Sequence, residues 1–242
     1  MVLKSYLKNS ILLEDSNFLV VNKWAGISTL ADRNMEPSLL DQARNYAEGL
    51  QACHRLDKYT SGVIVFAKHQ QAYRHLSLQF QERTVLKQYH AIVEGRHQFV
   101  DETIDLPLHV GRRGHTRVSQ LSGKDSITLV STIKYFNTHS LLRCKPITGR
   151  THQIRVHLSA VGAPLAGDVE YGGKELYLSG IKRHYNLRKN TFERPLMSRP
   201  ALHAKSLGFE NLTGEWMDIE AEYPKDFRAT LNQLEKINSV KL

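Results

Sequence analysis

His54-Arg55-Leu56-Asp57-Lys58-Tyr59-Thr60-Ser61-Gly62 runs straight into the apolar stretch Val63-Ile64-Val65-Phe66-Ala67. One carboxylate thus stands among cations, two residues after an arginine and just before a β-branched run suited to a buried strand. An aspartate so placed is either a turn residue bonding its own backbone or a nucleophile aimed from a rigid element. Two further segments carry residues that a turn does not need. Lys87-Gln88-Tyr89-His90-Ala91-Ile92-Val93 puts Tyr89 on one face of an alternating strand. Thr148-Gly149-Arg150-Thr151-His152-Gln153-Ile154-Arg155-Val156-His157-Leu158 brings Arg155 near the start of a helix. Taken singly, Tyr89 reads as a core aromatic and Arg155 as a solvated helix arginine. His54, His152 and His157 lack the spacing of a zinc site and are expected to hydrogen-bond the loop that carries Asp57. No metal is expected.

The elements that must hold these residues are legible in the hydrophobic pattern. Apolar runs at 11–13 and 18–21 flank Glu14-Asp15-Ser16-Asn17 and predict a hairpin. Ser38 is placed to cap a helix from Leu39 that stops at Gly49. The spacing predicts a helix over 70–83 with Ala72, Leu76 and Phe80 on one stripe, then a strand over 85–93. Further strands are predicted at 103–106, 116–119, 126–135 and 141–146, and a helix from Thr151 or His152 ends at Gly162 and Pro164. Two final strands, 201–209 and 216–221, precede a short helix after Pro224. Strands outnumber helices and come in local pairs. The expected class is α+β, with a mostly antiparallel mixed central β-sheet flanked by helices.

With no repeat and no low-complexity linker, residues 1–242 are expected to form a single catalytic domain, with a basic surface insertion around 177–199. The chain has 242 residues, 33 Lys+Arg against 24 Asp+Glu and a formal net charge of +9, which fits a polyanionic partner as well as plain solubility. Two cysteines, Cys53 and Cys144, are too few for a disulfide framework and suit a reducing compartment. The first residues lack the plan of a signal peptide, and no apolar run approaches membrane-spanning length. A cytoplasmic location, no membrane and no obligate protein partner are expected, with a monomer as the default state.

The Asp57 segment, the segment from Lys87 to Gly95 and the segment 145–158 with Gly167-Asp168-Val169-Glu170-Tyr171-Gly172, in this order, resemble the pseudouridine synthases, in particular their RluA-like branch. The resemblance extends to 15–26, to Ala201-Leu202-His203-Ala204 and to 221–227. It implies the pseudouridine synthase catalytic fold and an RNA partner, ribosomal or transfer RNA. The implied reaction breaks the glycosidic C–N bond of a uridine, turns the uracil and forms a C–C bond, with no cofactor. Asp57 would be the catalytic aspartate, acting at C1′ of the ribose, at C6 of the base or through a glycal after proton removal at C2′; all three routes stay open. Arg155 would hold that carboxylate ionised against burial, and Tyr89 would stack on the uracil. Arg55 would fill the space of the extruded nucleotide, Leu202 would floor the uracil site, and His54 and Lys87 would complete substrate binding.

The sequence departs from the family in two places. Trp24 stands where proline is usual, which removes a φ restraint from Asn22-Lys23-Trp24-Ala25-Gly26. The strand after Leu202 also lacks the common His-Pro pair. The start of the chain leaves little room for the small RNA-binding domain of some relatives, so RNA would be gripped through Arg112, Arg113, Arg117 and residues 182–189. A non-catalytic RNA-binding or RNA-folding protein on this scaffold would need none of Asp57, Tyr89 and Arg155. A glycoside hydrolase would need a second carboxylate about 5–10 Å away. Asp168, the nearest contender, sits in a Gly-Asp turn and is read as structural.

Overall fold

The computed structural model describes residues 2–31, 36–112, 114–187 and 191–239. The chain runs α1 (Val2–Asn9), β1 (Ile11–Glu14), β2 (Phe18–Lys23), α2 (Leu39–Tyr46), β3 (Gln51–Ala52), β4 (Ser61–Ala67), α3 (Gln70–Glu82) and β5 (Leu86–Glu94). It continues through β6 (Glu102–Asp105), β7 (Leu108–Val110), β8 (Thr116–Val118), β9 (Ile127–Tyr135), β10 (His139–Pro146) and α4 (Gln153–Ala160). A single 3-10 turn at Val169–Tyr171, α5 (Leu178–Ile181), β11 (Leu202–Glu210), β12 (Trp216–Glu220) and α6 (Lys225–Ser239) complete it. The strands form a mixed, mostly antiparallel sheet flanked by helices, as the pattern of local strand pairs predicts. The chain divides into two compact units, Met1–Tyr89 with His203–Glu222 and His90–Leu202 with Tyr223–Leu242.

In the first unit the strand order is β1-β2-β4-β11, with β12 on β11 and β3 on β4. Asp15 closes the β1–β2 turn, its Oδ1 accepting from the amides of Asn17 (2.7 Å) and Phe18 (2.6 Å). Strand β4 is buried along its whole length. Its period-2 alternation sends Ile64 and Phe66, with Leu19 and Val21 of β2, into a core against Leu39, Leu40 and Ala43 of α2. Val63 and Val65, with Phe18 and Val20, face a second core against Ala72 and Leu76 of α3. Ser38 caps α2 through a reciprocal box with Asp41, and the helix ends at Tyr46, three residues before Gly49. Helix α3 stops at Glu82 because Arg83 adopts the left-handed conformation, φ 63°. Helix α1 has no counterpart in the predicted elements.

The second unit is built on the order β5-β10-β9-β6, with β7 and β8 forming a separate antiparallel hairpin. A register shift between Leu141 and Leu142 bends β10 against β9. Ile92, Phe136, Leu141 and Ala201 pack with Phe227 and Leu234 of α6, which is a 15-residue helix rather than a short one. The described residues of 177–187 and 191–196 are exposed or half-buried. That segment leaves and rejoins the core at the Leu176–Met197 bridge. Beyond it the buried Arg199 guanidinium donates to Asp226 through Nε (2.7 Å) and Nη2 (3.0 Å).

Where β4 begins, Gly62 (φ 116°) pairs with Lys23 of β2 on one side and with Ala204 of β11, in parallel, on the other. A Cβ at Gly62 would lie 2.1 Å from the Ala204 carbonyl oxygen, so only glycine admits this approach. Gly62→Ala is therefore expected to cost at least about 2–3 kcal/mol in denaturant unfolding. Gly149→Ala, at a glycine with open space around it, should change stability by less than about 1 kcal/mol. Equal effects of the two would contradict the packing described.

Candidate active site

Asp57 lies on the loop between β3 and β4, and that loop is tied down from one side by residues 23–29. The Lys23 side chain is fully buried. Its ammonium donates to the carbonyls of Trp24 (3.2 Å), Ile27 (2.8 Å) and Lys58 (3.1 Å). The Gly26 amide donates to the same Lys58 carbonyl at 2.8 Å. Thr29 Oγ1 donates to the Leu56 carbonyl (2.9 Å) and accepts from the Leu56 amide (3.0 Å). The residues on both sides of Asp57 are thus fixed by hydrogen bonds, buried on the Leu56 side and part-buried on the Lys58 side, while Thr60 N–H closes the turn on the Asp57 carbonyl at 3.1 Å. Trp24 is held through its own carbonyl by Lys23, so hydrogen bonding supplies a restraint where proline would fix φ. Its ring lies 6.0 Å from that of Tyr6.

Around this loop the first unit gathers Tyr89, Lys87 and His54. Tyr89 packs half-buried against the core that contains Leu56. Burial, and after it the negative charge of Asp57, pushes its hydroxyl well above the usual phenol range, so it stays protonated. Burial and the Arg83 charge bring Lys87 down to about 8. His54 is lowered to about 3 by burial and by Lys87, which makes it a neutral imidazole. Its ring stacks on Phe80 at 4.7 Å and its Nε2 accepts from the Val65 amide at 3.2 Å. Arg55 is exposed.

In the second unit Arg155 is buried on α4, not solvated. Nε and Nη2 grip Asp168 at 2.7 and 2.6 Å, and Nη2 also donates to Glu170 at 2.8 Å. The guanidinium carbon sits 4.7 Å from the centre of the Tyr171 ring. Burial works against its charge, but the bonds and charges of Asp168 and Glu170 outweigh that and raise its pKa. Asp168 is thereby a structural carboxylate, as its turn suggests. Leu202 is buried at the start of β11.

Each of the three histidines has a partner of its own: His54 ties the start of the Asp57 loop to β4. His157 is fully buried with Nδ1 2.9 Å from Thr128 Oγ1 and Nε2 3.0 Å from the Leu106 carbonyl. His152 takes a left-handed conformation (φ 54°) that turns its Nδ1 to within 2.8 Å of the Tyr171 hydroxyl. Of the proposed RNA-gripping cations Arg112 and Arg117 are exposed, while Arg113, Arg188 and Lys189 lie outside the described residues. Sequence reasoning missed Lys23 and Thr29 as loop anchors. A lysine closing the run Phe18-Leu19-Val20-Val21-Asn22 was the available signal for the first; nothing marked the second.

The environment of His54 has a pH signature. His54→Phe keeps a ring on Phe80 but leaves the Val65 amide without this acceptor, a loss of about 1–3 kcal/mol at pH 7. The wild-type imidazole protonates near 6.5 when unfolded and near 3 when folded. The unfolded state therefore binds more protons between those values, and wild-type stability falls as pH drops through them. The gap between wild type and variant should narrow from pH 7 to pH 4 in urea unfolding; a constant gap would contradict a neutral His54 in the folded protein.

A family model described as RNA pseudouridylate synthase matches residues 17–160. Ribosomal large subunit pseudouridine synthase D of Zymomonas mobilis is 34% identical over 239 residues, 93% of this chain and 72% of that protein. Ribosomal large subunit pseudouridine synthase C of Escherichia coli is 35% identical over 236 residues, 94% of this chain and 70% of its own length. Among solved structures, human RNA pseudouridylate synthase domain containing 4 superposes with a TM-score of 0.69 at 25% identity, covering 97% of this chain and 96% of that one. Human RNA pseudouridylate synthase domain containing 1 gives 0.68 at 29%, covering 96% and 95%. The match takes in the Asp57 loop, the Tyr89 strand and the Arg155 helix together, and the chain belongs to the RluA-like family of RNA pseudouridine synthases, which are isomerases.

Proposed function

We propose that this enzyme converts uridine to pseudouridine in the RNA of the large ribosomal subunit, with Asp57 as its catalytic carboxylate. The observation that carries the reading is the Asp57 loop itself: an aspartate whose chain neighbours Leu56 and Lys58 are both anchored by hydrogen bonds, in the unit that also holds Tyr89. Fixed geometry removes the entropy cost of aligning a carboxylate with a reacting ribose or base. The C1′–N1 bond breaks, the uracil turns against the Tyr89 ring, C1′–C5 forms, and the C5 hydrogen leaves as a proton while N1 gains one. Arg155, held by Asp168 and Glu170 on the family's matching helix segment, is assigned as the permanent positive charge that the reaction uses. Leu202 packs the base, Arg55 takes the place of the extruded nucleotide, and His54 and Lys87 line the substrate path. Arg112 and Arg117 hold phosphates.

The ribosomal target rests on the relatives, whose names specify the large subunit; transfer RNA is the other substrate to be tried. The chain passes between its two units three times, which favours one catalytic domain over two independent ones. No helix among the described residues is long and apolar enough to cross a membrane, and we place a monomer in the cytoplasm.

Asp57→Asn tests the assignment. Release of tritium from RNA carrying 5-tritiated uridine should fall at least about 10³-fold, with RNA affinity within about threefold of wild type. Mapping pseudouridine in ribosomal and transfer RNA from cells with and without the gene identifies the substrate. Undiminished turnover by Asp57→Asn would overturn the assignment, and wild-type protein that binds RNA without turnover would mark a non-catalytic RNA-binding protein.

A further inference from the structure

The β7–β8 hairpin and the residues beside it present Arg112, Arg117 and Lys124 to solvent. Two three-residue strands are too short to fix their own position, so whatever they dock on decides where those cations stand. At the hairpin's base, Leu108 and Val118 pack with Val156 of α4 and Tyr171. The Thr116 amide donates to the Tyr171 hydroxyl at 3.1 Å in a buried bond. Near the tip, the His115 ring stacks on Tyr171 at 5.2 Å with an interplanar angle of 18°. Its Nδ1 donates to Glu170 Oε1 at 3.2 Å. The other oxygen of that carboxylate, Oε2, accepts from Arg155 Nη2, and Arg155 lies over the same Tyr171 ring. One carboxylate and one ring are therefore shared between the hairpin and the buried guanidinium.

We infer that His115 is a positioning residue. It fastens the tip of the hairpin to Glu170 and Tyr171, so that RNA held by the hairpin's cations and the placement of Arg155 are mechanically one assembly. The bond is half-exposed and would count for little as a lone surface pair. Its leverage comes from geometry: Glu170 cannot shift toward or away from His115 without moving its other oxygen against Arg155. Small displacements of a catalytic group carry large rate effects. This deepens the reading of Arg155 given above and rests on it.

The test uses the full chain and a ribosomal RNA fragment that the wild type modifies. His115→Ala should lower kcat about tenfold with Kd for RNA within about threefold. His115→Gln, which keeps an N–H donor, should recover most of the loss. Amide exchange around Thr116 should quicken in His115→Ala and return toward wild type in His115→Gln. A rise in Kd with kcat unchanged would overturn the inference, leaving the hairpin as a grip alone. A fall in kcat with unchanged exchange at Thr116, or without rescue by glutamine, would overturn it too. Arg155→Met measured alongside separates the two claims, because full activity there defeats the reading of Arg155 whatever His115 does. The exchange measurement reports hairpin docking independently of turnover.

Discussion

A buried ammonium organises the half of the first unit that carries Asp57. Lys23 closes strand β2 inside the protein, where a charge is costly unless polar groups surround it. Three backbone carbonyls do so, two from the loop at 24–27 and one from Lys58, next to Asp57. Lys23 is also the register partner of Gly62, whose missing side chain lets β11 approach. One row of three residues, Lys23, Gly62 and Ala204, thus fixes where β4 starts and where the aspartate loop ends. A loop under so many constraints has few conformations to lose when substrate arrives, which is how a scaffold contributes to rate without touching the reacting atoms.

The second unit also buries a cation, but surrounds it with carboxylates where the first uses carbonyls. Arg155 is buried and stays charged because Asp168 takes two of its N–H groups and Glu170 a further contact. A lysine could not make the parallel pair of bonds to Asp168. The 3-10 turn at Val169–Tyr171 is what lets Asp168, Glu170 and Tyr171 all reach one guanidinium. Positioning is therefore shared between side chains far apart in sequence, and none of the anchors needs to contact RNA.

The sequence made visible whatever is carried by local periodicity or by long chemical motifs. The apolar runs of β2 and β4, the Ser38 cap and the local pairing of strands follow from residue type alone, and the structure repeats them. The candidate residues were legible because the segments around Asp57, Tyr89 and Arg155 are long and unusual. What stayed hidden depends on tertiary contact. Lys23 reads as a polar strand end until its three carbonyl partners are seen. Glu170 looks like a surface acid until it bridges His115 and Arg155. The bond from His152 to Tyr171 depends on a left-handed backbone that residue type did not announce. Helix α1 was invisible because its eight residues carry one described buried side chain, Leu7, too little for a periodic signal.

The most direct measurement of this account is single-turnover kinetics of Lys23→Met, a change that keeps the bulk of the side chain and removes its hydrogen bonds to the Trp24, Ile27 and Lys58 carbonyls. The variant should remain folded with a lowered Tm and bind RNA within about threefold of wild type, while its rate constant for pseudouridine formation falls about 10²-fold. A folded Lys23→Met protein that turns over at the wild-type rate would show that the aspartate loop holds its catalytic geometry without the buried ammonium.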